Sequence, residues 1–274
     1  MKQPLHIVPG LDDPCNGIAV AAKLIAGGQD ATLVDMRTFT SEQITAASEV
    51  WVHSMWMPQV WHACRAVKAA GCKLVRMTHA NLDPVRLAYH GWKKRLVSPI
   101  EHRLLRQADE VVATCEAETE WIRAYEPRVK RIEVVDLKKF FRLPTDMPPP
   151  ACDGKRSIHL LYMGRRHPLK GLDVLEAALD GLDGYELRIA SDMVGEEKEK
   201  TWEWCDVLVL PTMSENFGLV VAEALERGRR VVTTDGAPVW EGQPGVVYVK
   251  GFRGGTAAIR IKLLREALLQ LIPS

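Results

Sequence analysis

Six short apolar runs punctuate the first half of the chain, at residues 5–8, 31–34, 49–53, 73–77, 110–113 and 132–135, separated by stretches of helical character. A short apolar run bounded by turn signals suits a strand buried on both faces. Strands alternating with helices need crossover connections, so the rhythm predicts parallel βαβ units and an α/β class.

Composition and punctuation set the domain organisation. A chain of 274 residues, 47% apolar and 26% charged, fits a globular protein of two units. Pro144, Pro148, Pro149, Pro150 and Gly154 fall within residues 143–155, which no regular element tolerates. The boundary is placed near 150, giving domains 1–149 and 150–274. A formal net charge of +1 gives no electrostatic footprint for nucleic acid. Six scattered cysteines without a Cys-x2-Cys pair argue against a zinc site; with no signal peptide, they fit a reducing cytoplasm. No apolar run is long enough to span a bilayer.

The second half carries the chemistry. The apolar run at 206–210 stops at Pro211, and a helix-forming stretch at 219–227 closes at Gly228, so residues 214–218 form a strand-to-helix turn. Unpaired N–H groups and the positive dipole end make such a turn suited to phosphate, and Gly218 allows close approach. Glu215 and Glu223 lie eight positions apart across it. A helix rises by about 12 Å over that span, so the two cannot be a retaining hydrolase's carboxylate pair and must do separate jobs. Alone, they read equally well as a helix-start acid and a solvated helix acid. A second turn follows the strand ending at Gly164, where Arg165, Arg166 and Lys170 precede Gly171 and a helix over 173–179. Cations at the carboxyl end of a strand suit an anionic ligand, and they equally suit a solvated loop.

Four segments together resemble the donor half of family 4 glycosyltransferases. They are Gly164-Arg-x4-Lys-Gly171, Gly195-Glu-Glu-Lys198, Pro211-Thr-x-Ser-Glu-Asn-Phe-Gly218 with its second glutamate, and Thr233-Thr-Asp-Gly-Ala-Pro238. The resemblance implies two Rossmann-like domains facing across a cleft, the GT-B architecture, and retaining transfer from a nucleoside-diphosphate sugar without a bound metal or other cofactor. By that resemblance Gly164, Arg165 and Lys170 meet the diphosphate. Glu215, Asn216, Phe217, Gly218 and Leu219 hold the donor sugar and phosphate, and Glu223 takes the ribose hydroxyls. It also implies that a leaving phosphate oxygen, rather than an enzymatic base, takes the acceptor proton. Relatives carry a further helix and strand where residues 191–194 alone bridge here, and an extra helix after the point where this chain ends at Ser274, so the resemblance is to a short member.

The first half would supply the acceptor side. The strand at 5–8 runs into a loop from Pro9 to Gly17; the family's loop there is glycine-rich, and Gly10, Asn16 and Gly17 are the candidates here. No G-x-G-x-x-G fingerprint is present, which disfavours a dehydrogenase. His79 ends the strand at 73–77, where an imidazole can meet a sugar hydroxyl, in a segment similar to the family's His-Gly-Met-Leu-Asp-Pro; it is the catalytic candidate of this half, and His53 is a candidate for acceptor contact. Between residues 86 and 106 six Lys or Arg face one acid, Glu101, with Tyr89 and Trp92 interleaved. That pattern fits a solvated helix face, or a helix resting on the inner face of an anionic membrane where a glycolipid acceptor would lie. The rival to a transferase is a nucleotide-sugar-binding protein that is non-catalytic or needs a partner.

Overall fold

Each apolar run of the first half becomes a strand, and the junctions carry residues that start or stop elements. In the computed structural model, which describes residues 2–89, 91–147 and 157–271, the chain divides into unit 1, Met1–Phe140, and unit 2, Phe141–Ser274. Pro148, Pro149, Pro150 and Gly154, on which the boundary near 150 was placed, lie outside the described residues.

Unit 1 is a parallel sheet in the order β2-β1-β3-β4-β5-β6, formed by β1 Leu5–Val8, β2 Thr32–Asp35, β3 Val50–His53, β4 Leu74–Met77, β5 Glu110–Ala113 and β6 Ile132–Val134. Every residue of β1, β3, β4 and β5 is buried, which is why these strands read as continuous apolar runs rather than alternating ones. Its helices are α1 Gly17–Gln29, α2 Ser41–Ala46, α3 Pro58–Ala69, α4 Pro84–Ala88, α5 Gly91–Gln107 and α6 Glu116–Tyr125. Local chemistry sets their starts: the Asn16 side chain accepts from Ile18 N–H, Thr40 and Gln43 form a capping box, and Pro58 and Pro84 occupy first turns. Each such cap contributes about 1 kcal/mol.

Unit 2 repeats the plan with β7 Ile158–Met163, α7 Leu172–Leu179, β8 Tyr185–Ala190, α8 Gly195–Trp204, β9 Val207–Leu210, α9 Leu219–Glu226, β10 Arg230–Thr234, β11 Val246–Val249 and α10 Ala257–Leu269. The sheet order is β11-β10-β9-β7-β8, again parallel throughout. In each unit the second and third strands flank the first from opposite sides. The winding therefore reverses between β1 and β3, and between β7 and β9. Ligands of open α/β sheets bind at the carboxyl ends of the strands beside such a reversal.

Two buried polar systems lock unit 1. Arg76 on β4 and Glu101 on α5 are wholly buried and lie 3.2 Å apart. Glu101 also accepts from Trp56 N–H at 2.6 Å and Trp61 Nε1–H at 2.8 Å, while Arg76 donates to Ser54 O at 3.0 Å. Glu101 thus lies on the inward face of α5 with Leu104 and Leu105, and the one acid of the basic stretch is a structural anchor.

The second system is a chain of imidazoles across β1, β3 and β4. His6 Nε2 lies 2.9 Å from Gln29 Oε1, His53 Nε2 lies 2.9 Å from His6 Nδ1, and His79 Nε2 lies 2.9 Å from His53 Nδ1. With Gln29 Oε1 as the terminal acceptor, each neutral ring donates from Nε2, and His6 and His53 accept at Nδ1. Burial lowers His6 to about 4 from 6.5, lowers His79 to about 3 with help from Arg86, and holds His53 well below the usual range.

Both systems generate stability predictions. Glu101→Ala strands a buried guanidinium and should cost about 3–5 kcal/mol in denaturant unfolding, whereas Glu266→Ala, on the exposed face of α10, should cost under ~0.5 kcal/mol. For the histidines, the unfolded state binds more protons than the folded state between the two pKa values. Their contribution is fully present above about pH 6.5 and is lost as pH falls toward about 4. Each imidazole adds a slope of ~1.4 kcal/mol per pH unit. His6→Gln should flatten the acid limb of stability against pH by about that amount, and an unchanged slope would contradict the neutral chain.

Candidate functional site

At the reversal in unit 2, the loops after β7, β9 and β10 meet backbone to backbone. Met213 N–H donates to Leu169 O at 2.8 Å, and Glu215 N–H donates to Gly236 O at 2.8 Å. Thr212 Oγ1 donates to Leu169 O at 3.1 Å, Thr233 Oγ1 donates to Leu210 O at 2.9 Å, and Thr234 Oγ1 donates to Thr212 O. Two glycines make this approach possible. A Cβ at Gly171, where φ is +68°, would lie 2.1 Å from Pro211 O, and one at Gly236 would lie 2.0 Å from Thr212 O.

The clamped loops deliver the candidate side chains. Lys170 ends a short 3-10 turn, Pro168–Lys170, and its ammonium donates to Glu215 Oε2, joining the two turns singled out in the sequence. Both side chains of this pair are about 15% exposed, open enough for a ligand to compete for either. Arg165 is exposed just past Gly164 at the end of β7. Its carbonyl accepts from Tyr162 Oη at 3.1 Å, and burial and the nearby Glu215 carboxylate raise the Tyr162 phenol to about 12.

Helix α9 begins at Leu219 behind Gly218, whose φ of +75° is left-handed and which offers no side-chain cap. Asn216 N–H donates to Glu215 Oε1 at 3.2 Å. The Phe217 ring is buried 5.0 Å from Trp240, whose indole N–H donates to Phe217 O. Phe217 therefore serves the core with its side chain and leaves only backbone to the turn. Glu223 lies one helix face further on, with Lys198 Nζ of α8 2.7 Å from its Oε2. Lys198, Thr212 and Gly236 were not among the expected site residues, although all three fall in the four segments quoted above.

Unit 1 treats its candidates differently. Asn16 Nδ2 donates to Pro9 O at 2.6 Å and to Gly10 O at 3.3 Å while its Oδ1 caps α1, so this side chain closes the loop on itself. A Cβ at Gly10, where φ is +62°, would lie 2.9 Å from that amide nitrogen, and Gly17 opens α1. His53 is fully buried and His79 is 2% exposed. The structure thus corrects the picture of imidazoles projecting from the strand ends: the two turn inward and bond to each other.

His79 and Ala80 both take left-handed backbone, at φ +52° and +53°. Such geometry costs ~1–2 kcal/mol per residue and persists only where its surroundings hold it. Glu118 of α6 supplies the hold. Its wholly buried carboxylate accepts from Thr78 Oγ1 at 2.6 Å, Ala80 N–H, Thr114 N–H at 2.8 Å and Thr114 Oγ1 at 2.9 Å. Sequence reasoning missed it because nothing local marks an acid on α6 as serving two strand ends. Among the described residues, no cluster of three His, Cys, Asp or Glu is placed to hold a metal, and no helix is long and apolar enough to cross a membrane.

Comparison with known proteins agrees with this geometry. Residues 46–137, within unit 1, match the family described as Glycosyl transferase 4-like domain, and residues 145–265, within unit 2, match Glycosyl transferases group 1. No curated protein matches the chain by sequence. Among solved structures, sucrose-phosphate synthase from Thermosynechococcus elongatus is similar over 98% of this chain and 90% of its own, with a TM-score of 0.63 at 12% identity. Anabaena HepE, solved with UDP and glucose, is similar over 99% and 92%, with a TM-score of 0.62 at 13% identity. The lipopolysaccharide outer core galactosyltransferase WaaB is similar over 100% and 92%, with a TM-score of 0.55 at 15% identity. With one family domain in each unit and a shared two-sheet plan, the chain belongs to the glycosyltransferases of GT-B fold that carry a 4-like domain followed by a group 1 domain.

Proposed function

We propose that this transferase moves a sugar, with retention, from a nucleoside-diphosphate sugar to a hydroxyl of a carbohydrate or glycolipid acceptor. The observation that carries this reading is the Lys170–Glu215 pair, set by glycine-clamped loops at the reversal of unit 2 beside the uncapped start of α9. An incoming diphosphate competes for the Lys170 ammonium, and Glu215, released from it, accepts hydrogen bonds from the sugar hydroxyls. Neither partner is left without a bond, which keeps the exchange inexpensive. Gly164, Asn216 and Leu219 contribute backbone around the phosphates, and Glu223 with Lys198 lies where the ribose would reach.

In the proposed step, the acceptor oxygen bonds to the anomeric carbon on the face from which the diphosphate departs. The breaking C–O bond leaves its electron pair on the phosphate, whose oxygen takes the acceptor proton. Arg165, Lys170 and the α9 start stabilise the growing charge, so the proposal requires no metal ion or other cofactor. The acceptor side is assigned to Gly10, Asn16, Gly17, His53 and His79 of unit 1, where the histidines act by fixing the loop rather than by reaching outward.

The HepE structure's UDP and glucose support a nucleotide-sugar donor, and WaaB supports work on cell-surface polysaccharide or glycolipid. A cytoplasmic protein touching the inner membrane face through α5 fits such an acceptor, because Trp92 and Leu96 of that helix are 64% and 73% exposed among cations.

A thermal-shift series with UDP, GDP and ADP tests the donor site. One of them at saturating excess should stabilise by about 2.7 kcal/mol, raising the melting temperature by roughly 5–10 °C. If none does, the donor site is misassigned. Lys170→Ala should lower turnover ~10–100-fold, from the loss of a contact worth ~1.5–3 kcal/mol. Proton NMR of the product should show the donor's anomeric configuration, and an inverted product would refute retention. Donor binding without any transfer would leave a nucleotide-sugar-binding protein.

A further inference from the structure

Unit 1 holds an open pocket of about 760 Å³ between the loop after β3, helix α4 and the first two turns of α5, bordered by the end of α6. Its size is that of a small-molecule site. Trp56, Trp92 and Tyr125 form aromatic walls, Lys94 and Arg95 bring two cations, and Ser98 adds a hydroxyl; none of the described residues lining it is acidic. The wall is held in place. Trp56 takes left-handed backbone at φ +69°, fixed by its N–H bond to the buried Glu101, and its ring meets Tyr125 edge-on with centroids 5.9 Å apart.

Three groups in this wall suit a polar, anionic occupant. The Trp56 Nε1–H is buried without a hydrogen-bond acceptor. Lys94 donates to Arg86 O with its ammonium 5.9 Å from the Trp56 ring centroid, and burial and Arg86 lower its pKa, so an anion beside it would favour its charged form. Ser98 Oγ and Tyr125 Oη lie 2.6 Å apart and can exchange that bond for bonds to ligand hydroxyls.

We propose that this cavity binds a phosphate-bearing sugar, with the C–H face of its ring against the indoles of Trp56 and Trp92 and its phosphate on Lys94 and Arg95. Flat aromatic walls match the apolar face of a sugar ring, and paired cations match a phosphate better than a neutral hydroxyl does. Calling this ligand the acceptor rests on the transferase reading; its binding does not. The same chemistry is presented by a free sugar phosphate or by a phosphoinositol lipid headgroup, and the exposed Trp92 in the wall suits either source.

Calorimetry on the full chain without donor, using glucose 6-phosphate, glucose and inorganic phosphate, is paired with flotation on phosphatidylcholine vesicles containing phosphatidylinositol or phosphatidylserine. Glucose 6-phosphate, or the phosphatidylinositol vesicle, should bind saturably and at least ~10-fold more tightly than its unphosphorylated, sugarless or ringless counterpart, as loss of one good contact predicts. Arg95→Ala and Trp92→Ala alter exposed side chains that the fold does not need, and each should weaken binding ~10-fold. Lys170→Ala should leave this binding unchanged, which separates a failure here from a failure of the donor site. The proposal is overturned if neither phosphorylated ring binds, if Arg95→Ala and Trp92→Ala bind as the parent does, or if glucose 6-phosphate fails to bind and both anionic vesicles bind equally.

Discussion

At Thr212 the backbones of three loops in unit 2 come closer than any side chain would allow. Hydrogen atoms at Gly171 and Gly236 occupy places where a Cβ would stand about 2 Å from a carbonyl oxygen. Because of that approach, Leu169, Thr212 and Gly236 can share main-chain and hydroxyl hydrogen bonds, and the turns after β7 and β9 have fixed positions. Lys170 and Glu215 meet as a consequence. The α9 start is then presented beside them, with left-handed Gly218 in place of a capping side chain. The proposed phosphate site thus rests on backbone packing first and on charge second.

Unit 1 reaches rigidity by other means. Its strand-end loops contain left-handed residues that are not glycine, at Ser54, Trp56, His79 and Ala80, and buried polar groups offset the strain. Glu101 grips Trp56 and Arg76, Glu118 grips the turn at Thr78 to Ala80, and the imidazole chain ties His79 back to Gln29. The same Glu101 that neutralises Arg76 is withdrawn from the surface of α5, so the outer face of that helix and the cavity beside it remain cationic.

The sequence made the strands readable because burial on both faces leaves continuous apolar runs, and their observed ends differ by about one residue where elements fray. The turns that carry Lys170 and Glu215 were legible because glycine and proline punctuate them. Pairings across separate elements were not. Nothing near Glu223 announces Lys198, and His6 carries no mark of its place in a chain that only sheet order assembles. Glu101 falls in a stretch whose charge pattern suits a solvated or membrane-facing helix, while its spacing from Leu104 and Leu105 puts it on the apolar face of α5. The capping of α1 by Asn16 was legible too, because an Asn immediately before a helical stretch suits that role.

The claim that these clamped turns form the donor diphosphate site is tested most directly by amide hydrogen exchange of the full chain with and without the nucleoside diphosphate that binds. Protection should rise in residues 164–171 and 214–222, where backbone N–H groups and Lys170 would meet the phosphates. Unchanged exchange in both segments at saturating nucleotide, or protection confined to other segments, would contradict the account.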